Sequence, residues 1–434
     1  MVRFFLMLCT GVLTSLFFFP FEFKALPGLN TKMAMAAMGL VVLAVRLAKG
    51  NKAQFSRPII GLSFSAMMIS FIGFVSVLFN NTQDYSYASY FMSMWVWLSA
   101  AYVVTVAIKS VHGRLSIPIV ANYLIAVCLV QCVLALLIDN YPVMKHYVDA
   151  YIEQGQDFLN QANVRRLYGI GASLDVAGSR FAAVLILLAY LLRQDSQGPY
   201  ISYYLAAFFF LAVVGNMIAR TTTVGLVLAA VYWIYTFFDN KNYAPENNIK
   251  LWRWFICVVI IAVPLTLYLD QNSPFFHRQI RFAFEGFFSL FEEGEWVVAS
   301  NEKLERMVVF PDNLKTWIIG DGYFNNPHYS DPYYVGETTK YGYYMGTDVG
   351  YLRFIFYFGM LGLLAFSSFM IYAARICVHR FPADRILFLF FLLAGFVVWM
   401  KVSTDLFLIF ALFINVALLR EEDELYNERI REIA

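Results

Sequence analysis

Long apolar stretches separated by short polar connections make up most of this chain. A helix that crosses a bilayer needs about 20 mostly apolar residues, because each residue adds roughly 1.5 Å to its length. The sequence therefore predicts an all-α polytopic integral membrane protein with about 12 transmembrane helices. The predicted helices lie at residues 4–20, 31–48, 58–79, 89–108, 116–138, 169–192, 200–218, 221–238, 251–269, 347–375, 385–401 and 403–419.

A polar tract at residues 270–346 interrupts this pattern and is rich in Tyr, Trp, Asn, Asp and Gly. Its first part, 275–293, places charged residues at helical spacing among many Phe, which is typical of a helix lying in the membrane interface. Ser300 is the predicted N-cap of a helix over 301–310, and the segment that follows predicts a second short helix. The tract is thus expected to be one long loop that contains short helices.

Lys and Arg gather in alternate loops, while the loops between them contain almost none. Because positively charged loops stay in the cytoplasm, both termini are predicted to be cytoplasmic and the 270–346 tract to face outward. The predicted organisation has four parts: membrane helices one to nine at 1–269, a large extracytoplasmic loop at 270–346, membrane helices ten to twelve at 347–419, and a cytoplasmic tail at 420–434.

Composition narrows the function classes. The chain is 60% hydrophobic and 14% charged, which is typical of a membrane protein. Its net charge of +2, without a dense basic run, argues against nucleic-acid binding. None of its five cysteines lies in the polar tract, so we expect no structural disulfide and no cysteine-based metal site. No nucleotide-binding motif and no His/Glu metal pattern occurs in the sequence, so no cofactor and no metal are predicted.

Arginines predicted at the outward face are the first candidates for chemistry: Arg165 and Arg166 before the sixth helix, Arg220 in a very short connection, Arg306 in the polar tract and Arg353 in the tenth helix. A guanidinium group donates two parallel hydrogen bonds to phosphate and keeps its charge. Several such groups at one depth would suit a diphosphate. The alternative is that these side chains only reach out to lipid headgroups.

Two acidic positions add to this picture. Asp348 lies where the chain leaves the polar tract and enters the tenth helix, so its carboxylate is a candidate base for a substrate hydroxyl. The alternative role is an N-cap of that helix. Asp175 and Arg180 lie within the sixth helix, where they are either functional or an ion pair that orients the helix. Lys401 and Asp405 are expected to form a structural pair.

Aromatic residues of the polar tract are candidates for glycan binding, because aromatic faces stack on sugar C–H groups and tyrosine hydroxyls bond sugar hydroxyls. The candidates are Tyr323, His328, Tyr333 and Tyr343. His328 is expected to be a hydrogen-bonding loop residue rather than a catalyst. The alternative for the tyrosines is an aromatic belt at the membrane interface.

Three parts of the chain resemble the superfamily of bacterial O-antigen polymerases and O-antigen ligases. The segment Arg166 to Asp175 resembles its R-x-x-G element, with Asp175 standing where Asn is usual. The segment Ala219 to Thr222 resembles a Ser-Arg-Thr/Gly element at the end of a helix pair. The stretches Arg306 to Gly322 and Asp348 to Gly362 resemble the long loop and the helix that follows it.

The resemblance implies a metal-independent glycosyltransferase in the bacterial inner membrane that takes glycan from undecaprenyl diphosphate at the outer face. Polymerases pass the glycan to a lipid-linked repeat unit, and ligases pass it to lipid A–core. The ligases usually carry a His-Asn pair where this chain has Thr347-Asp348, which favours a polymerase. The implied partners are the lipid-linked donor and acceptor, the lipid bilayer and, as an option, a chain-length regulator protein.

The site residues that follow from this reading have separate roles. Arg220 and Arg306, with Asp348 as the base, are the predicted catalytic residues. Arg166 and Arg353 join the two arginines as ligands of the diphosphate.

Two other functions remain open at this point. About twelve helices would also suit a flippase for lipid-linked oligosaccharides, although transporters tend to place their charges at the bilayer midplane and to show internal repeats. A scaffold or chain-length regulator whose loop only binds glycan is the third possibility.

Overall fold

The computed structural model describes residues 2–48, 57–154, 166–194, 199–238, 245–327, 334 and 342–433. The first half of the chain forms α1 (Val2–Phe18), β1 (Glu22–Phe23), α2 (Thr31–Ala48), α3 (Arg57–Asn80), α4 (Tyr90–His112), α5 (Ile117–Asn140), α6 (Pro142–Tyr151), β2 (Ile152–Glu153), α7 (Leu174–Gln194) and α8 (Ile201–Ile218). The second half forms α9 (Thr222–Phe238), α10 (Pro245–Asn272), α11 (Pro274–Ala283), α12 (Glu285–Glu292), α13 (Ala299–Glu305), α14 (Leu314–Ile318), α15 (Gly350–Arg380), α16 (Arg385–Trp399) and α17 (Phe407–Ile433).

Among the described residues, seven helices are long and apolar enough to cross a membrane, and two shorter apolar helices accompany them. The seven are Arg57–Asn80, Tyr90–His112, Ile117–Asn140, Leu174–Gln194, Ile201–Ile218, Gly350–Arg380 and Pro382–Trp399. The protein is therefore largely helical, with the helices of a membrane-embedded chain. A helix lies at each of the twelve predicted positions, but the number that spans the bilayer stays a prediction.

The chain folds into two compact units, each assembled from separate parts of the sequence. The first unit contains Met1–Met35, Val103–Val297 and Leu418–Ala434, and the second contains Ala36–Tyr102 and Val298–Ala417. Helices α2, α4 and α17 each continue from one unit into the other.

Helix α7 is the central helix of the first unit, packed by α5, α8 and α9 and buried along most of its length. Glycines allow this close packing. A Cβ added at Gly225 of α9 would lie 2.3 Å from the Cα of Ala182 in α7. One added at Gly178 would lie 2.9 Å from the Cβ of Ala219. Small residues at such contacts let helix backbones approach, so that van der Waals contacts hold the bundle together.

The chain before α7 contains short elements that the hydrophobic pattern did not predict. Helix α6 and strand β2 occupy part of the predicted 139–168 loop, and β2 pairs antiparallel with β1. The Tyr168 hydroxyl donates a 2.7 Å hydrogen bond to Asp149 of α6. The N–H of Ile170 donates a 2.8 Å bond to the side chain of Gln131 in α5. These bonds hold the chain that leads from Arg166 into α7.

The second unit contains a membrane-length helix, α15, that is broken in its first half. Phe358 (φ −140°) and Gly359 (φ +69°) leave the helical conformation, which frees backbone carbonyls from their usual partners. The loop after α14 supplies new donors: the N–H of Asp321 bonds the carbonyl of Phe356 at 2.6 Å, and the N–H of Gly322 bonds that of Tyr357 at 3.0 Å. The carbonyls freed at the break thus accept hydrogen bonds from backbone N–H groups of the loop.

Glycines are required at this contact because the two backbones meet without room for side chains. A Cβ at Gly320 (φ +86°) would lie 2.5 Å from the carbonyl of Tyr357. A Cβ at Gly359 would lie 2.1 Å from the carbonyl oxygen of Ile318. Gly320-Asp321-Gly322 is therefore the segment that joins α14 to the broken helix.

The polar tract differs from its predicted helices in two details. The single helix expected over 275–293 is divided into α11 and α12 at Phe284, whose backbone (φ −121°, ψ 28°) is not helical. The expected cap at Ser300 is wrong, because α13 begins at Ala299, two residues before the predicted start, with Val298 as its N-cap. Ser300 lies within the first turn instead.

The predicted tail is a direct continuation of the last helix. Helix α17 runs from Phe407 to Ile433, so the tail at 420–434 begins inside it. Lys109 of α4 lies 2.6 Å from Asp423 and 3.4 Å from the carbonyl of Leu419. This pair attaches the start of the tail to the first unit.

Candidate functional site

Arg220 lies in the short connection between α8 and α9, as predicted, and contacts α11 and α12. Its Nε donates a 2.9 Å hydrogen bond to the carbonyl of Phe282, and its Nη1 lies 2.5 Å from Oε2 of Glu285. The Cζ of Arg220 lies 4.2 Å from the centroid of the Phe282 ring. The side chain is only 15% exposed, so its charge is largely shielded from water.

Arg166 comes to the same aromatic ring, with its Cζ 5.2 Å from the Phe282 centroid. Its Nε is buried and has no hydrogen-bond partner among the described residues. Burial lowers the pKa of Arg220, and the nearby Arg166 charge lowers it further, whereas Glu285 raises it. We call Arg166 and Arg220 together with the ring between them the Arg166–Arg220 pair. Two cations held in a partly dry site favour binding of an anion that carries several charges.

A buried amide lies one turn from the ring of this pair. Gln279 of α11 is 2% exposed, and its Oε1 has no hydrogen-bond partner within the described part of the chain. Residues three apart lie on neighbouring positions of one helix face, so Gln279 and Phe282 share the side of α11. The α11 helix packs against α8.

The connection that carries Arg220 is fastened to α7. Thr221 donates a short hydrogen bond to Asp175, which lies in the first turn of α7, where a carboxylate also interacts well with the helix dipole. Arg180 is buried and lies over the ring of Phe19 at 5.6 Å. Asp175 thus positions Thr221, the neighbour of Arg220 in the sequence. This role concerns the connection between α8 and α9 and not only the orientation of α7.

A second group of charges joins α11 to the helices around it and was not predicted. Arg281 binds Glu292 of α12 with two hydrogen bonds of 3.0 and 2.6 Å. His277 lies 3.2 Å from the buried carboxylate of Asp270 at the end of α10. The hydrogen bond from Arg281 lowers the pKa of Glu292. These pairs hold α11 and α12 in place beside the Arg166–Arg220 pair.

Arg306 belongs to the second unit, at the C-terminal end of α13. Its side chain is exposed, and within the described residues its guanidinium group has no ion-pair partner. The position is compatible with the predicted contact to an anionic ligand.

Asp348 is next to the start of α15 and is partly buried. Its Oδ1 lies 3.8 Å from Nη1 of Arg353, and the Asp348 side chain is 21% exposed. The N-cap position of α15 is occupied by Val349 rather than by Asp348. The hydroxyl of Thr347 accepts a 3.3 Å bond from the Val349 N–H. The geometry places the carboxylate beside a cation at the helix entrance.

Arg353, a predicted diphosphate ligand, bonds several protein groups through its Nη atoms, while its buried Nε has no hydrogen-bond partner among the described residues. Nη2 bonds the carbonyl of Phe324 at 3.1 Å and Oδ1 of Asn325 at 2.9 Å, while Nη1 bonds Ser403 at 3.1 Å. Its Cζ lies 3.8 Å from the Phe324 ring and 4.6 Å from the Tyr343 ring. Arg353 therefore positions the aromatic part of the tract and the neighbouring Asp348.

Two of the four predicted glycan-binding residues can be located. The Tyr323 ring packs against Tyr334 and Tyr344, with centroids 5.5 and 5.3 Å apart. Tyr343 lies against the guanidinium group of Arg353. His328 and Tyr333 lie outside the described residues, as does Arg165.

No family model, curated protein or solved structure matches this chain.

The second unit also contains a polar network that the sequence analysis missed. Lys315 of α14 bonds Asn80 at 2.8 Å and makes a short ion pair with Asp321. Asp321 also accepts from Thr316 at 2.6 Å. Asp84 accepts a 2.8 Å bond from the N–H of Phe324. Asp84, in an otherwise charge-poor loop, was the available signal, but its partner Phe324 is 240 residues away along the chain.

No group of three His, Cys, Asp or Glu suited to a metal ion occurs in the part of the chain that the structure describes. The groups that are present bind charge through guanidinium and aromatic contacts. The arrangement can therefore hold an anionic ligand at the Arg166–Arg220 pair and place a carboxylate at the entrance of α15.

Proposed function

We propose that this protein is a membrane glycosyltransferase of the O-antigen polymerase type. It transfers a growing glycan from undecaprenyl diphosphate onto a lipid-linked repeat unit at the outer face of the bacterial inner membrane. The observation that carries this proposal is the pairing of Arg166 and Arg220 on one aromatic ring, next to helices long and apolar enough to lie in a bilayer.

The proposed reaction has one bond-breaking and one bond-forming step. The bond between the sugar C1 and the phosphate oxygen breaks, and its electron pair stays on the diphosphate. Arg220 and Arg166 bind this leaving group. Because negative charge grows on it as the bond breaks, fixed guanidinium groups stabilise the transition state more than the bound substrate.

The acceptor hydroxyl forms the new bond to C1 and loses its proton in the same reaction. Asp348 is the proposed base, because it is partly exposed and lies where the polar tract joins a membrane-length helix. Arg353 positions the Asp348 carboxylate, and the tyrosines of the tract, Tyr323 and Tyr343, are the proposed glycan contacts.

The broken helix α15 is the one observation that would favour a transporter, since transporters bind substrates at unwound segments of membrane helices. In this protein the backbone carbonyls at the break accept hydrogen bonds from Asp321, Gly322 and the Ser76 hydroxyl, the last at 2.7 Å. Carbonyls that are already bonded are poor ligands for ions or polar solutes. This favours a structural role for the break.

A clean gene deletion, followed by size resolution of surface and lipid-linked glycans, tests the proposal. We expect the glycan ladder to collapse to single repeat units that are still exported and attached. Polymer that accumulates on the lipid carrier would indicate a ligase instead, and single units trapped inside the cell would indicate a flippase. An unchanged ladder would contradict all three.

A further inference from the structure

Glu285 occupies the place at the Arg166–Arg220 pair where an anionic ligand would bind. It is the first residue of α12, and its Oε2 lies 2.5 Å from Nη1 of Arg220. The Glu285 side chain is 32% exposed, whereas that of Arg220 is 15% exposed. The Glu285 Oε2 that contacts Arg220 is itself buried, so a ligand that binds Nη1 of Arg220 must displace this carboxylate.

We propose that Glu285 determines which anions enter this site: it excludes singly charged phosphodiesters and yields to a diphosphate. The inference rests on the proposed function, since it concerns the same site. It adds a specificity role to a residue that no sequence motif singled out.

A ligand that binds Arg220 has to replace the Glu285 carboxylate, and this exchange explains why a diphosphate is selected over a phosphodiester. A phosphodiester carries one negative charge, as the Glu285 carboxylate does, so its binding to Arg220 gains little Coulomb energy. It also competes with a group that is tethered to the protein at high effective concentration. A diphosphate carries charge on two phosphoryl groups, so it can bind Arg220 and Arg166 together. The Nε of Arg166 has no hydrogen-bond partner among the described residues.

The surroundings make such a selection necessary. Guanidinium groups near a bilayer bind lipid headgroups, which greatly outnumber any lipid-linked sugar carrier. Two arginines on one ring, without an internal anion, would therefore collect abundant phosphodiester lipids. A repulsive carboxylate lowers the affinity for the wrong ligand more than for the right one, which is how discrimination is commonly built.

The chain offers a matched control on the same helix. Glu292 is the last residue of α12, and it pairs with Arg281 through two hydrogen bonds of 3.0 and 2.6 Å. Both carboxylates thus bind an arginine of the same unit, but Glu292 contacts neither Arg166 nor Arg220 in the described structure. Loss of either glutamate should affect helix packing alike, and only loss of Glu285 should change anion selection.

The experiment measures binding of farnesyl diphosphate to the full chain in nanodiscs of phosphatidylcholine, with and without added phosphatidylglycerol. We expect binding to the wild type to be insensitive to phosphatidylglycerol. In Glu285→Gln, phosphatidylglycerol should weaken binding by about tenfold, the size of one charge-assisted hydrogen bond. Glu292→Gln should behave as the wild type does. Glu285→Asp, which keeps the charge on a shorter side chain, should lose only part of the discrimination.

Two results with the Glu285→Gln variant would overturn the inference. In the first, binding of farnesyl diphosphate to this variant stays insensitive to phosphatidylglycerol. In the second, this variant loses binding in both bilayers, as Arg220→Ala does. Glu285 would then be a structural partner of Arg220. If Glu285→Gln does not fold, Glu285→Asp decides instead: binding that stays as insensitive to phosphatidylglycerol as in the wild type would overturn the inference.

The inference and the proposed function fail separately. The function fails when the deletion strain keeps its polymer, whatever the nanodisc result. The specificity role fails when phosphatidylglycerol competes with farnesyl diphosphate in the wild type, or when neither binds, even if the deletion strain loses its polymer. Inorganic pyrophosphate, used as a soluble competitor, shows whether the diphosphate group alone is recognised.

Discussion

At the scale of single residues, the protein uses arginines in two different ways. Arg353 is enclosed by the groups that it bonds, namely Phe324, Asn325 and Ser403, so its charge serves the structure. Arg220 has a carboxylate and an aromatic ring as neighbours and shares the ring with a second arginine. The second arrangement places two cations on one aromatic ring, and this favours a role in ligand binding.

The first residue-scale prediction concerns Arg220. Arg220→Ala should lower polymer formation by about 100-fold or more, because removal of one fixed donor to a developing charge costs roughly that factor. Arg220→Lys should recover only part of it, since an ammonium group lacks the planar fork. In vivo glycan length and membrane levels of each variant are the measurements. Arg306→Ala is the parallel test in the second unit, and wild-type chain lengths in both variants would refute the diphosphate role.

The second residue-scale prediction concerns the base. Asp348→Asn keeps the size of the side chain but cannot take a proton, so we expect turnover to fall by about 100-fold with membrane insertion unchanged. Turnover of a purified lipid-linked substrate is the measurement. Asp312→Asn is the control, because Asp312 is an exposed aspartate of the same unit. Near-normal turnover of Asp348→Asn would leave Asp348 as a partner of Arg353 only.

Among the secondary-structure elements, the break in α15 and the loop after α14 are joined by backbone hydrogen bonds. The helix gives up its own hydrogen bonds at Phe358 and Gly359, and the loop backbone replaces them. Tyr357 adds a further link, because its hydroxyl donates a 2.8 Å bond to the carbonyl of Asp84 and accepts one from the N–H of Tyr87. The charge-poor loop between α3 and α4 is thereby fixed to the same helix.

The element-scale prediction is that Gly320→Ala destabilises the protein far more than Gly342→Ala. Both glycines have positive φ, +86° and +72°, which costs an L residue roughly 1–2 kcal/mol. Only at Gly320 would the new Cβ also collide with backbone, and overpacking adds about 1–3 kcal/mol. Thermal unfolding in detergent is the measurement. Equal losses of stability in the two variants would show that the contact with Tyr357 is not tight.

At the scale of the whole molecule, seven long apolar helices among the described residues account for a membrane-embedded chain. The alternation of basic and charge-poor loops sets the predicted orientation, with both termini in the cytoplasm. The proposed chemistry depends on this orientation, because the 270–346 tract must face the compartment that holds the glycan acceptor.

The whole-molecule prediction is tested by reporter fusions. A fluorescent protein that matures only in the cytoplasm should be bright when fused after Ala434. Alkaline phosphatase, which is active only outside the cytoplasm, should be active when inserted at the exposed Gly294. Phosphatase fused at the C-terminus is the control and should be inactive. The reverse pattern would place the tract in the cytoplasm and exclude the proposed reaction.

Several features follow from the sequence by itself. The positions of the long helices were predictable because a bilayer-length run of apolar residues has few stable alternatives to a helix. The place of Arg220, between α8 and α9, followed from the shortness of the connection between two apolar segments. The presence of helices in the polar tract followed from its charge spacing, although their ends at Phe284 and Val298 did not.

Only the tertiary structure decided which polar residues meet. Arg166 and Arg220 are brought together by the ring of Phe282, and Glu285 at the start of α12 contacts Arg220. Arg353 bonds the carbonyl of Phe324 and the side chain of Asn325 in the aromatic loop. Hydrophobic patterns report which face of a helix is apolar, but they contain no information on partners far away in the chain. Those partners are chosen by packing, and in this protein packing builds the candidate site.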